Sequence, residues 1–379
     1  MSMRPPAEIG MPVEQVDTPA LLVDLDAFER NLQRMAAFVD KAGVRLRAHA
    51  KTHKSPDIAA RQMALGAVGM CCQKVSEAEV LVGGGIGNVL VSNEVAGAAK
   101  LNRLAALAKR AKVGICVDDA VNVAELEAAA AKAGSRIDVL VEIDVGAKRC
   151  GIAPGEPAAR LAQQVASSPH LKFAGLQAYH GSAQHVREAE ARREHIARAV
   201  AQVEETLGAL GKVGLKAETI GGGGTGTYEH EAGSRVYNEL QCGSYIFMDA
   251  DYARNKRADG GFFDAYEHAL FVQATVMSMP APERAVLDAG LKTFAFDSGM
   301  PLPWKLEGAV YHRPSDEHGI LDLSACAQRP SRGDTVLLVP GHCDPTVNLH
   351  DWYVGVRGLA SGKGRVEVLW PVAARGALF

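Results

Sequence analysis

Two histidines and two lysines crowd into one octet, Arg47-Ala48-His49-Ala50-Lys51-Thr52-His53-Lys54. Amines attack carbonyl groups and imidazoles move protons near neutral pH, so this is a stretch able to do chemistry. Just upstream, Val44, Leu46, Ala48 and Ala50 alternate with Arg45, Arg47, His49 and Lys51. A strand of period 2 puts the apolar set on one face and the functional set on the other. If the second face lines a closed site, Lys51 is the candidate reactive centre; if not, the cluster is a basic strand end on the surface. Far downstream, Gly221-Gly-Gly-Gly224-Thr225-Gly226 leaves backbone N–H groups free to approach an anion, with the Thr225 hydroxyl as a further donor. This reads as a phosphate cup. In Val339-Pro340-Gly341-His342-Cys343-Asp344-Pro345-Thr346, His342 and Asp344 stand two apart. In an extended segment they point the same way and can offer mixed N and O ligands to a divalent cation, with Cys343 turned to the opposite side as a packed thiol.

The elements that must position these groups follow from periodicity. From Ala20 to about Ala217, short β-rich runs alternate with amphipathic, alanine-rich helical stretches. The spacing predicts eight strands, over Ala20 to Asp24, Val44 to Ala50, Gly69 to Gln73, Val89 to Ser92, Val113 to Val117, Val139 to Ile143, Phe173 to Tyr179 and Lys216 to Ile220. Helices such as Asp26 to Ala42, Ser55 to Ala64, Ser76 to Val82, Ala98 to Ala111 and Val121 to Ala133 lie between them. Eight β-then-α units imply a (β/α)8 barrel, with an open doubly wound sheet as the alternative. After Gly226 the pattern turns β-rich, with strands expected over Phe262 to Met277, Ala285 to Asp288, Thr335 to Val339, Trp352 to Val356 and Arg365 to Trp370. The expected division is a barrel over residues 15–260 and a β-rich domain over 261–379, with residues 1–14 associated with the latter.

Barrel active sites gather at the C-terminal ends of strands, and phosphates often bind at the loops after strands 7 and 8. Lys51 would end strand 2, Arg149 follow strand 6, Tyr179 and His180 end strand 7, and the glycine cup follow strand 8. A lysine facing a phosphate site suggests a Schiff base with pyridoxal phosphate, because a desolvated amine loses its proton readily. A phosphosugar Schiff-base aldolase would use the same parts but has no need of a β-rich C-terminal domain.

Composition narrows the partners. With 379 residues, 47% hydrophobic and 22% charged, the chain has ample material for two soluble domains. The net charge of -3 carries no basic excess of the kind nucleic acid would need. No run of about 18 apolar residues suggests a membrane span, and Met1 to Gly10 has no apolar signal core, so a cytoplasmic location is expected. Seven cysteines without C-x-x-C spacing indicate reduced thiols.

Taken together, Asp17-Thr18-Pro19-Ala20 through Asp24, His49-Ala-Lys51-Thr-His53-Lys54, Cys72-Gln-Lys74-Val-Ser-Glu77, Ser92-Asn-Glu94, Glu142-Ile-Asp144-Val-Gly146, Gln177-Ala-Tyr179-His180-Gly181 and Gly222-Gly-Gly-Thr225-Gly226 resemble the D-threonine aldolase family. That family belongs to the fold-type III pyridoxal phosphate enzymes, with alanine racemase and the D-serine dehydratases. The resemblance runs from about residue 15 to the C-terminus. It implies that Lys51 carries the cofactor, that Arg149 sits near its phenolic oxygen and that Tyr179 lies against its ring. Gly223, Gly224 and Thr225, with Gly243, Ser244 and Tyr245, would hold the phosphate. His342 and Asp344 match the family's metal pair; the dehydratases carry a Cys at the second ligand position, so Asp344 favours the aldolase branch and a harder ion such as Mn2+ or Mg2+.

The implied reaction is cleavage of D-threonine and other D-β-hydroxy-α-amino acids to glycine and an aldehyde. The metal would hold the β-hydroxyl and His185 would take its proton as general base. His53, His180 and His350 also fall in family-like segments without an assigned role. A homodimer is implied by the same resemblance. Three alternatives remain: a D-serine or 3-hydroxyaspartate dehydratase, an amino acid racemase without need of metal, and a non-enzymatic carrier of pyridoxal phosphate.

Overall fold

The apolar run Ala20–Asp24 (β1) is buried along its whole length, and the fold uses it away from the barrel that it was expected to open. In the computed structural model, which describes residues 4–379, the closed barrel comprises eight later strands. These are β2 (Arg45–His49), β3 (Gly69–Cys72), β4 (Asn88–Val91), β5 (Lys112–Val117), β6 (Ile137–Glu142), β7 (Leu171–Gln177), β8 (Thr219–Gly222) and β9 (Glu239–Leu240). All neighbours pair in parallel, and β9 closes the ring against β2 with Arg45 opposite Glu239. The closing strand is two residues long, too short to show any periodicity, which is why the sequence pattern placed the count one strand early.

Helices α1 (Leu25–Ala42), α2 (Pro56–Ala64), α3 (Val75–Gly83), α4 (Ala98–Leu107), α5 (Ala120–Ala133), α6 (Glu156–Ser167) and α7 (Ala189–Lys212) surround the barrel. Caps fix their starts: the Asp24 carboxylate accepts from the amides of Asp26 and Ala27, and Asp119 from those of Val121 and Asn122. Along β2 the expected alternation holds. Leu46, Ala48 and Ala50 are buried in the main core, whereas Arg47 and His49 point into the barrel. The interior is stacked in layers. Arg47 pairs with Glu239 at 2.7 Å near the N-terminal mouth, Cys71, Leu90, Cys116, Leu140 and Ala174 form an apolar plug, and polar residues His49, Gln73, Ser92, Gln177 and Gln241 lie above it. The plug seals the barrel, so chemistry is confined to one mouth.

A nine-stranded sheet holds the remainder, with β10 (Leu270–Ala281), β11 (Arg284–Leu287), β12 (Leu302–Pro303), β13 (Val310–Pro314), β14 (Gly319–Asp322), β15 (Thr335–Val339), β16 (Trp352–Arg357) and β17 (Arg365–Pro371). Here β1 runs antiparallel to β10 and parallel to β16. The N-terminal segment joins the same side, since the Gly10 and Val13 amides donate to the carbonyls of Val366 and Gly364. The strand expected from Phe262 begins only at Leu270, because the Asn31 side chain of α1 satisfies the Glu267 backbone that a ladder would otherwise use. Strands β12, β13 and β14 escaped sequence reading; they are short and mix proline, charge and apolar residues without alternation. Phe28 of α1 packs between Phe247 and Trp370, seating the sheet against the barrel mouth.

Candidate active site

At the C-terminal mouth lies a cavity of about 550 Å3 whose walls include Lys51, Arg149, Tyr179, His185, Gly224, Thr225, Gly243, Ser244 and His342. Because the barrel begins at β2, Lys51 follows the first barrel strand and not the second; Arg149 follows the fifth and Tyr179 the sixth. The Gly223–Thr225 turn follows the seventh barrel strand, β8, and Gly243 and Ser244 follow the eighth, β9. Both loops therefore occupy the positions where barrels favour phosphate.

Lys51 and Lys54 part company here. The Lys51 ammonium pairs with the Asp344 carboxylate, whereas Lys54 is buried with a left-handed backbone before α2 and pairs with Glu77. Lys54 lies in the turn that precedes α2, and its ion pair fastens α3 to the Lys51 turn. Burial acts to lower the Lys51 pKa, as expected of a desolvated amine, but the charge of Asp344 and the nearby Tyr179 outweigh it and raise the pKa. The expectation of a readily deprotonated lysine is thus corrected by a counter-ion far along the chain. Asp344 resists burial in the same way: Lys51 and His342 bring its pKa down to about 2.

The phosphate end has the shape of a cradle. A Cβ on Gly243 would fall 2.5 Å from Thr52 Oγ1 and 3.0 Å from the His49 carbonyl, and one on Gly224 would fall 2.4 Å from Gln184 Oε1. The buried Thr225 and Thr52 hydroxyls have no hydrogen-bond partner. Orphaned donors beside bare backbone suit a phosphate, and Lys51 faces the same cavity, so these residues fit pyridoxal phosphate. The guanidinium of Arg149 stands 5.8 Å from the centre of the Tyr179 ring, and burial keeps the Tyr179 phenol protonated by raising its pKa.

His342 and Asp344 fit a divalent cation by the chemistry of their donors. His342 is the N-cap of a one-turn helix, Cys343–Val347, so the pair sits on a cap and a first turn, not on the extended segment expected. His342 Nδ1 lies 2.7 Å from Asp297, which leaves Nε2 for a ligand, and Asp344 Oδ1 is buried without a partner. Cys343 is fully buried with its thiol toward the Met248 carbonyl, as a packed group. Across the cavity, His185 closes the 3-10 turn Gly181–His185, with Nδ1 2.5 Å from Asp251.

Several residues lie outside this grouping. The Tyr245 ring is buried against Tyr266 and its hydroxyl accepts from Gln62, so its side chain points away from the cavity. His53 is buried with its pKa lowered to about 4 by desolvation, His180 packs edge-on to His195, and His350 bonds the Thr293 carbonyl. None of the three lines the cavity. Sequence reading missed the partners of the site, Asp251, Asp297 and Asp249, since single acids in loops, at a cap or in a one-turn helix carry no pattern. It also gave no role to Glu142, whose carboxyl is pushed up to about 8 by burial and by the neighbouring charge of Glu94, against the pull of Arg149. The one signal available was that Glu94, Glu142 and Arg149 each end or follow a barrel strand.

Comparison with known proteins gives the family and the fold. Residues 23–251 match the family model described as alanine racemase, N-terminal domain, and residues 269–356 match that of a putative serine dehydratase domain. The chain is 49% identical to D-threonine aldolase of Arthrobacter sp over 99% of its own length and 97% of the relative's. It is 48% identical to 3-hydroxy-D-aspartate aldolase of Paracoccus denitrificans (strain Pd 1222), covering 98% and 95%. The crystal structure of D-threonine aldolase from Filomicrobium marinum superimposes with a TM-score of 0.95 at 54% identity, with both chains fully covered.

Proposed function

Because the chain belongs to the family of D-threonine and 3-hydroxy-D-aspartate aldolases, built on the alanine racemase barrel, we propose that it cleaves D-β-hydroxy-α-amino acids to glycine and an aldehyde. It is a lyase dependent on pyridoxal phosphate, and D-threonine is the proposed substrate, with acetaldehyde as the second product. The observation that carries the reading is the meeting of Lys51, the glycine cradle, His185 and the His342–Asp344 pair around one cavity.

Lys51 is the proposed attachment point, with Gly223, Gly224, Thr225, Gly243 and Ser244 around the phosphate; Tyr245 would contribute through its backbone only, since its side chain turns away. When bound, the cofactor supplies an electron sink for the bond pair left at Cα. Arg149 and Tyr179 border the place for its ring. His342 and Asp344 would hold a divalent ion, Mn2+ or Mg2+, whose charge acidifies a hydroxyl. His185, with Nδ1 engaged by Asp251, presents Nε2 to the cavity and accepts the β-hydroxyl proton as the Cα–Cβ bond breaks. The seven free thiols support a cytoplasmic location. No described helix is long and apolar enough to cross a membrane. A homodimer is proposed by family analogy.

Asp344 is the residue that favours aldol cleavage over dehydration, since a carboxylate ligand suits a harder ion than a thiolate does. Incubation with D-threonine separates the two: glycine with acetaldehyde is expected, and 2-oxobutanoate with ammonia would overturn the reading. D-3-hydroxyaspartate in a parallel assay ranks the two substrate classes by kcat/KM.

A further inference from the structure

The one-turn helix Ala250–Ala253 stands where the barrel mouth meets the His342 segment. Its Ala250 and Asp251 amides donate to the Pro340 and Gly341 carbonyls at 3.0 and 3.2 Å. Its N-cap, Asp249, accepts from the amides of Tyr252 and Cys343, each at 3.0 Å, and so fixes the residue between His342 and Asp344. Asp251 turns the other way. One of its oxygens, Oδ2, lies 2.5 Å from His185 Nδ1, and the other, Oδ1, accepts from Arg187 Nη2 and Arg254 Nη2, each at 2.5 Å. Arg187 also donates to the Asp251 carbonyl and to Asn255 Oδ1, at 2.7 and 2.8 Å. A carboxylate only accepts, so the proton on this contact is carried by His185 Nδ1, which in the neutral ring leaves the lone pair on Nε2. Asp251 is 3% exposed while His185 reaches into the cavity, so the anchor is dry and the working end is open.

We propose that Asp251 is a positioning residue for the aldol cleavage: it holds His185 in the Nδ1–H tautomer, aimed at the substrate's β-hydroxyl, and Arg187 and Arg254 lock which of its oxygens does so. The proposal rests on the reading of His185 as proton acceptor. Asp251 makes no bond to substrate and takes no proton itself. The β-hydroxyl proton passes to Nε2, the O–H pair forms the aldehyde C=O, and the Cα–Cβ pair stays on Cα. The arginines matter because they remove the choice of orientation. In Asp251→Asn, the side-chain oxygen stays with the two guanidinium groups and the NH2 group faces His185. That amide donates, so His185 must accept at Nδ1 and carry its proton at Nε2, where no base remains. Asp251→Glu keeps an acceptor and restores part of the geometry.

The test uses the holoenzyme with [15N]histidine labelling, and His185→Gln assigns the resonance. The wild type is expected to show His185 protonated at Nδ1, and Asp251→Asn at Nε2. With D-threonine, Asp251→Asn is expected to lose about 10²- to 10³-fold in kcat with KM within about threefold, and Asp251→Glu to recover at least tenfold. Visible absorbance of the lysine-bound cofactor checks that each variant is loaded. An Nε2–H wild type, or Asp251→Asn with kcat within twofold of wild type, would overturn the proposal. A wild type that forms no glycine contradicts the proposed function instead, and the tautomer in its spectrum still decides the role of Asp251.

Discussion

Lys51 and Lys54 stand three residues apart, and only their surroundings distinguish them. Strand register singled out Lys51, because an alternating run that buries Leu46, Ala48 and Ala50 turns the next side chains to the barrel mouth. The counter-ion Asp344 was not legible as such, since the two residues are 293 positions apart and the pairing exists only in the fold. His185 was legible through family resemblance but its anchor was not. His185→Ala is expected to lose about 10²- to 10⁴-fold in kcat while the bound cofactor's absorbance is unchanged, as measured by steady-state rates beside the visible spectrum. Glu142 gives a pH prediction. Its carboxyl, ordinarily near 4.5, is pushed up to about 8 by burial and by Glu94. Between those values the unfolded chain has released this proton and the folded one retains it, so stability falls as pH rises through that window. Glu142→Gln, which mimics the protonated form, should flatten the decline of Tm between about pH 5 and 8; an unchanged slope would contradict this environment.

At the scale of elements, the βα alternation predicted a barrel correctly and counted it from the wrong strand. β1 is a continuous apolar run and β2 alternates apolar with basic residues, but both read as strands, and only pairing sends β1 to the sheet between β10 and β16. β9 closes the barrel with two residues, held by Arg45 and Arg47 against Glu239 instead of by a hydrophobic pattern. The glycine turn after β8 was visible as a run of four, while Gly243 in the partner loop was visible only by resemblance. Its lack of a side chain is a steric necessity in the structure, given the 2.5 Å approach to Thr52 Oγ1. Gly243→Ala is therefore expected to weaken pyridoxal phosphate binding by tenfold or more in a titration of apoenzyme, with the far-ultraviolet circular dichroism preserved. Affinity equal to wild type would remove Gly243 from the cradle.

Across the whole molecule, the cavity takes its lysine and glycines from the barrel and its His342–Asp344 pair from the segment joining β15 to β16. A barrel alone would lack His342 and Asp344, the proposed cation ligands, which is the physical objection to a simple cofactor carrier. The sequence made this division visible through a change from helical to strand spacing after Gly226, but the junction of the two parts depends on long-range contacts such as Phe28 with Trp370. Removal of divalent ions with EDTA is expected to abolish glycine formation from D-threonine and leave the lysine-bound cofactor's absorbance in place, with Mn2+ or Mg2+ restoring the rate. Undiminished glycine formation in EDTA would contradict the proposed role of His342 and Asp344 as cation ligands. The central claim is that Lys51 carries the cofactor at which the carbon–carbon bond is broken. Its most direct test records visible absorbance and glycine release side by side for wild type and Lys51→Ala. The wild type should show both, and Lys51→Ala should lose the covalent cofactor band together with glycine formation; an unchanged band in the variant would contradict the account.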